Sequence, residues 1–337
     1  MSNRSIIFTS PRVAEIVDRE LPPMSENDVL VKIQRSTISA GTERANLLGD
    51  PNINSTKAPE VKFPRRSGYS SSGVVCKVGS KVTSVKVGDR VACSWSYHAQ
   101  YCVINESKVY KLDDRTEFGE AALVHIATFP MAAIRKCRLE VGESAIVMGL
   151  GVLGIIAVQL LRAAGAVPII AVDPVESKRK QALELGADYA LDPFDVDFVR
   201  NIKELTDGGA NVAIEITGKG QGLDMVLDCM KPFGRVALLG CTRNSDFSID
   251  YYRKVHGPGI TLVGAHTQAR PKSDSSAGWW TERDDAKAIL RLMVNGRIDL
   301  ASLIEEVHSP LNCSEIYTRL ADNPAFPVVQ FDWSDME

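Results

Sequence analysis

The 337-residue sequence has no apolar run that approaches a membrane span. Its first residues, MSNRSIIFTSPRV, lack the apolar core of a signal peptide. It has no block of like charge either: 39 Lys and Arg stand against 42 Asp and Glu, a net charge of −3 spread along the chain. That leaves no electrostatic argument for a nucleic-acid or membrane partner. Cysteine is present but unorganised. Cys76, Cys93, Cys102, Cys137, Cys229, Cys241 and Cys313 form no C-x-x-C pair and no metal-like cluster. An odd, scattered set reads as reduced thiols of a cytoplasmic protein, in which formal glycosylation triplets such as Asn54-Ser55-Thr56 are chance matches. No internal repeat, low-complexity tract or Gly/Ser linker interrupts the chain.

The composition that remains, 45% hydrophobic and 24% charged, is that of an ordinary soluble globular protein. The length exceeds one typical core and argues for two domains. The first third carries short β-type runs, DVLVKIQRSTIS, SGVVCKVGSKV, GDRVACSW, AQYCVIN and VYKL, with turn residues between them. This reads as an antiparallel, barrel-like β domain. FGEAALVHIATFPMAAIRKCRL then has the apolar spacing of a helix, with Pro130 inside it. After it strand and helix alternate, from SAIVMG and VLGIIAVQLLRAAG to GRVALLG and GITLVGA. That alternation predicts an α/β fold with a doubly wound parallel Rossmann sheet. From about Arg270 the pattern turns mixed again. The expected division is residues 1–120 with 268–337 in the β domain, and 121–267 inserted as the nucleotide-binding domain.

Within the insertion, Gly149, Gly151 and Gly154 form G-x-G-x-x-G, with Val152 and Leu153 between the last two, directly after a strand and opening a helix. One glycine makes the tight turn, one lets backbone approach a pyrophosphate, and one lets helix and strand pack closely. The phosphates would meet the N–H groups and the positive dipole end of the helix. The next strand ends in IIAVDP. It places Asp173, followed by Pro174, about 20 residues on, where a ribose-binding acid is expected. Such an acid repels a 2′-phosphate and favours NAD over NADP. Lys178 and Arg179 would soften that preference unless they belong to a solvated helix face. Thr217 and Gly218 in EITGKG, Gly240 in ALLG and His266 in LVGAHTQ follow later strands and are further cofactor candidates.

FPRRSGYSSSGVV, residues 63–75, raises a different question. It reads as a polar turn leading into a strand, and Tyr69 is either a stray aromatic or a working group. Several segments together settle the family context: VKVGDRVA, AQYCVINESKVYKL, AGTE, SGYSSSGVV, VMGLGVLGIIAVQLLRAAGA and KPFGRVALLG. Over nearly the whole chain these resemble the medium-chain dehydrogenase/reductase superfamily, the zinc alcohol and polyol dehydrogenases, with their GroES-like β domain. The resemblance implies a zinc held by the cysteine of C-G-T-D, the histidine of G-H-E and a third residue on the following helix. Here those positions are Ala40, Tyr69 and, at or near the third, His125. A catalytic zinc needs three protein ligands. The family's four-cysteine structural lobe is also missing, since GDRVACSWSYHAQYCV runs through that region. No zinc of either kind is expected.

Without a Lewis acid, another group must carry the proton at the substrate oxygen. The resemblance points to His125 as main proton carrier and Tyr69 as hydrogen-bond partner. Packing is the competing account of each. Thr42 in AGTE matches the family's relay hydroxyl, or else stabilises its turn. Glu43 binds a substrate hydroxyl or pairs with Arg44. Arg65 and Arg66 read as solvated loop charges, His98 as a core or surface histidine, and Trp279 and Trp280 as helix-start packing. The implied function is a zinc-independent, NAD-dependent oxidoreductase that interconverts a secondary alcohol and a ketone, on a sugar- or polyol-like small molecule. Two alternatives stand. One is C=C reduction, although STISAGTE replaces the N-P-x-D type motif of those reductases. The other is an NAD-binding protein without catalysis. By the same resemblance a homodimer would pair through the strand at GITLVGA.

Overall fold

The computed structural model describes residues 2–50, 62–242, 247–323 and 325–336. The Asn54 triplet lies outside them. The chain divides into two compact units, 1–126 with 286–337, and 127–285.

The first unit opens with a hairpin that the sequence reading did not single out, β1 (Ser2–Ser10) and β2 (Val13–Glu20). There follow β3 (Asp28–Thr37), α1 (Ala40–Leu48), β4 (Arg65–Arg66), β5 (Ser70–Val78), β6 (Arg90–Ser94), β7 (Tyr101–Asn105), β8 (Val109–Lys111) and α2 (Phe118–Ala121). The strands form a three-stranded sheet, β2-β1-β4, and a larger antiparallel sheet in which β3 pairs with both β5 and β7. Along β3, Val29, Val31 and Ile33 are fully buried while Leu30, Lys32 and Gln34 are half-buried. That period of two follows from the pleat, which points alternate side chains to one face. The inward set packs with Ile6, Phe8, Val75, Val91, Tyr317, Phe331 and Trp333. Each such side chain contributes about 1.5–3 kcal/mol when buried.

After α3 (Val124–Lys136) the second unit alternates regularly through β9 (Ala145–Met148), α4 (Val152–Ala163), β10 (Ile169–Val172), α5 (Glu176–Glu184), β11 (Tyr189–Leu191), α6 (Phe198–Leu205), β12 (Ala210–Glu215), α7 (Gly220–Asp228), β13 (Met230–Leu238) and β14 (Thr261–Gly264). The six strands are parallel in the order β11-β10-β9-β12-β13-β14, the doubly wound arrangement expected. β9 and β10 are buried at every position, because helices cover both faces of a parallel sheet. The strand order reverses between β9 and β12, and such a reversal opens a ligand crevice at the carboxyl ends of the strands. The chain closes with α8 (Glu282–Val294), β15 (Glu306–His308), α9 (Cys313–Asp322) and β16 (Val329–Asp332). β16 adds to the first unit's sheet beside β3.

Two boundaries differ from expectation. The helix expected from Phe118 onward is broken into α2 and α3, because the Ala122 carbonyl between them accepts from the Thr37 and Ser70 hydroxyls. Residues 268–285 group with the second unit. Arg270 donates to the Thr128 carbonyl, and Arg135 stacks 3.5 Å from the Trp280 ring centroid while pairing with Asp285 at 2.8 Å. Among the described residues, no helix is long and apolar enough to cross a membrane.

Candidate active site

The glycine turn joins β9 to α4, and sterics account for each glycine. Gly149 has φ +100, a left-handed conformation that glycine adopts without strain. A Cβ on Gly154 would lie 2.0 Å from the Gly149 carbonyl oxygen, so the first turn of α4 presses directly on the turn that precedes it. A Cβ on Gly151 would meet nothing within 4 Å. Gly151 is the N-cap of α4 and brings no side chain to its free N–H groups, which continue through Val152 and Leu153. Open space, unclaimed donors and the positive end of a 12-residue helix fit a dinucleotide pyrophosphate.

Asp173 follows β10 and is 7% exposed. One carboxylate oxygen accepts the Leu150 N–H at 2.9 Å and the other the Val175 N–H at 2.9 Å, which ties the acid to the glycine turn. Each oxygen keeps acceptor capacity for a ribose hydroxyl. Pro174 is exposed and Lys178 half-buried. Arg179 is not on a solvated helix face: its guanidinium folds back to the Asp173 and Pro174 carbonyls and reaches Asp192 at 3.3 Å. Across the strand reversal, a Cβ on Gly149 would lie 3.2 Å from the Thr217 methyl, and one on Gly240 would lie 2.2 Å from the Gly218 nitrogen. The structure thus gathers Gly149, Thr217, Gly218 and Gly240. Glu215, not singled out from sequence, ties part of this group together: its carboxylate accepts from the Thr217 N–H and hydroxyl, and its backbone carbonyl accepts the Gly240 N–H at 2.8 Å. Burial raises its pKa, against those hydrogen bonds. His266 lies exposed after β14, its Nδ1 accepting from the Gln268 N–H at 3.2 Å. Burial, then Lys136, lower its pKa.

In the first unit two of the residues expected at ligand positions, Tyr69 and His125, meet. The His125 and Tyr69 rings lie edge-on with centroids 5.6 Å apart, and His125 is 1% exposed. Trp95 joins them, 4.8 Å from His125 and 6.2 Å from Tyr69. It is 37% exposed, and its φ of +59 is uncommon for so bulky a residue. Its N–H donates to the Tyr69 carbonyl at 2.7 Å. The Tyr69 hydroxyl donates to Ser39 Oγ. Neither Ser39 nor Trp95 was singled out from sequence. Ser39 adjoins Ala40 and could have been suspected from that; Trp95 carries no comparable signal.

Several expectations change. The serine run is not a polar turn. Ser70, Ser71 and Ser72 begin β5, are at most 1% exposed, and donate to the Ala122 carbonyl, Ser96 and the Phe118 carbonyl respectively. Glu43 is turned into the core and does not pair with Arg44. It is 1% exposed and accepts from the Ser39 N–H and the Tyr317 hydroxyl, with His98 at 3.1 Å. Arg44 instead donates to the carbonyls of Leu320 and Asn323. Thr42 is half-buried in the first turn of α1. His98 is a core histidine at 0% exposure. Arg66 stacks on the Tyr97 ring and Lys136 on the Trp279 ring.

A zinc does not fit the donors present. Ala40 offers a methyl group, Tyr69 a phenol engaged with Ser39, and His125 one imidazole. Among the described residues no three His, Cys, Asp or Glu side chains are grouped to hold a metal.

Residues 25–138 match the family described as the alcohol dehydrogenase GroES-like domain, and 152–277 match zinc-binding dehydrogenase. The chain is 27% identical over 339 residues to D-guloside 3-dehydrogenase of Escherichia coli, covering 95% of this chain and 96% of that one. It is 28% identical over 330 residues to L-threonine 3-dehydrogenase of Pyrococcus furiosus, covering 89% and 90%. A crystal structure of an Escherichia coli oxidoreductase/dehydrogenase of unknown specificity superposes with a TM-score of 0.84 at 20% identity, covering 98% of this chain and 99% of that one.

Proposed function

Because the chain belongs to the medium-chain dehydrogenase/reductase superfamily, that of the zinc-type alcohol dehydrogenases, we propose that it is an NAD-dependent oxidoreductase that interconverts a secondary alcohol and a ketone without zinc. A sugar- or polyol-like substrate is supported by the relative named for a guloside. The observation that carries the metal-free reading is the contact of the Tyr69 and His125 rings, two residues that stand where the resemblance expects metal ligands, with Ala40 at the third position.

The coenzyme would lie on Gly149, Gly151 and the α4 N-terminus, with Asp173 toward the ribose, and bound there it supplies the hydride acceptor for alcohol oxidation. This chain's residues handle the proton. When substrate binds, the Tyr69 hydroxyl would donate to the substrate oxygen while the Ser39 hydroxyl donates to the phenol oxygen, a reversal of the hydrogen bond between them that leaves the substrate's own hydrogen directed at His125. His125 takes the proton as the carbonyl forms and returns it in ketone reduction. Its burial beside two aromatic rings keeps bulk water from competing.

The test is a screen of sugars, glycosides and polyols with NAD+ and NADP+, with and without a chelator, followed by single-turnover hydride transfer. Activity should survive chelation. His125→Gln should slow transfer about 100-fold or more, and Tyr69→Phe about 10-fold. Chelator-sensitive activity, or an unchanged rate in His125→Gln, overturns the metal-free mechanism.

A further inference from the structure

Glu43 and His98 lie deep in the first unit, at 1% and 0% exposure, and no step above uses them. A buried carboxylate is costly unless its partners hold it well. Glu43 Oε1 accepts the Ser39 N–H at 2.8 Å, while Oε2 accepts the Tyr317 hydroxyl at 2.5 Å and faces His98 Nε2 at 3.1 Å. On the far side of the imidazole, Nδ1 is 2.7 Å from Ser36 Oγ, which also accepts the Trp333 indole N–H at 2.8 Å. One proton arrangement satisfies every member: indole N–H to Ser36, Ser36 O–H to Nδ1, and Nε2–H to the carboxylate. Burial, and then the Glu43 charge, push the Tyr317 phenol well above its ordinary pKa, so it remains a donor.

This cluster reaches Tyr69 twice. Ser39, held by Glu43 through its N–H, presents Oγ to the Tyr69 hydroxyl. His98 lies over Gly68, the residue before Tyr69, where φ is +78 and a Cβ would fall 2.7 Å from the imidazole ring. The His98 backbone N–H also donates to the Ser67 carbonyl at 3.0 Å. We infer that Glu43 and His98 are positioning residues, a buried clamp that fixes the Tyr69 phenol through Ser39 and its backbone at Gly68. The role proposed for the clamp in turnover rests on the reading of Tyr69 as part of the acid/base pair. Core stability alone gives no reason for the cluster, since apolar side chains of similar volume often replace a buried polar network at no cost. What the polar groups add is direction.

The experiment labels the full-length protein with 3-fluorotyrosine and identifies the Tyr69 resonance as the one lost in Tyr69→Phe. Glu43→Gln, His98→Asn and Ser39→Ala should each shift or broaden that line. Each should lower kcat about 10-fold or more with KM within about 2-fold, and Ser39→Thr should restore most of the loss. An unmoved Tyr69 line in Glu43→Gln and His98→Asn overturns the clamp, whether or not Tyr69 is catalytic. A moved line with full activity supports the clamp and overturns the acid/base role of Tyr69 instead. If Glu43→Gln fails to fold, His98→Asn, which leaves the Ser39 N–H on Glu43, gives the same comparison.

Discussion

At the proposed coenzyme turn the groups on offer are backbone N–H donors, and the sequence's contribution is the absence of side chains. At the proposed acid/base site they are side chains, brought from β3, α1, the loop before β5, the end of β6 and the start of α3. The first kind of site is local: three glycines within six residues set the turn, the open approach and the close packing. The second kind is assembled by the fold, and each member constrains the next. A backbone site therefore breaks sharply at single atoms, whereas a side-chain network loses function by degrees.

The largest expected effect tests that contrast within the turn itself. Gly154→Ala places a methyl 2.0 Å from the Gly149 carbonyl oxygen, so backbone must move. It should cost about 1–3 kcal/mol of stability and raise the coenzyme Kd about 100-fold. Gly151→Ala meets open space. It should leave the denaturation midpoint within about 0.5 kcal/mol and still weaken coenzyme binding about 10-fold, because its methyl occupies the approach of the pyrophosphate. Urea unfolding and titration of coenzyme fluorescence read both. Normal binding by Gly151→Ala would move the pyrophosphate away from the α4 N-terminus.

A smaller effect is expected in the side-chain cluster. Tyr317→Phe keeps the edge-on ring contact with Phe8 at 4.9 Å but removes a donor from the buried Glu43 carboxylate. The loss should be about 1–3 kcal/mol by urea unfolding, with coenzyme affinity unchanged. A loss well under that range would mean that the remaining donors satisfy Glu43.

The same contrast explains what could be read in advance. The β–α alternation, the glycine motif and Asp173 were legible because each signal is periodic or local. The proposal that Ala40, Tyr69 and His125 stand where relatives hold metal ligands comes from resemblance alone, since no periodicity or spacing within this chain points to them. The β1–β2 hairpin went unnoticed. Glu43 was misread because its sequence neighbour, Arg44, turns to carbonyls of α9 and beyond, while its actual partners, His98 and Tyr317, are remote in sequence. The serines of β5 looked like a turn because polar composition does not reveal which hydroxyls find buried carbonyls.

The smallest effect concerns a buried charge in the second unit, set against the Glu43 cluster of the first. Lys136, at the end of α3, is 7% exposed, donates to the Gly264 carbonyl at 3.2 Å and lies 5.1 Å from the Trp279 ring centroid. Burial, with the Arg270 charge adding, lowers its pKa from 10.5 to about 8. Between those two values the unfolded chain holds a proton that the folded chain has released, so stability rises with pH across that window. Below about pH 8 both states are protonated and the full cost of burying the ammonium remains. Lys136→Met removes the titration. The variant should gain on the order of 1 kcal/mol relative to the parent at pH 7, and the gain should shrink as pH climbs from 8 toward 10.5. Unfolding curves measured across that range decide it. Parallel pH dependences in the two proteins would show that Lys136 is no more costly to charge when folded than when unfolded. The second unit would then hold its lysine as well as the first holds Glu43.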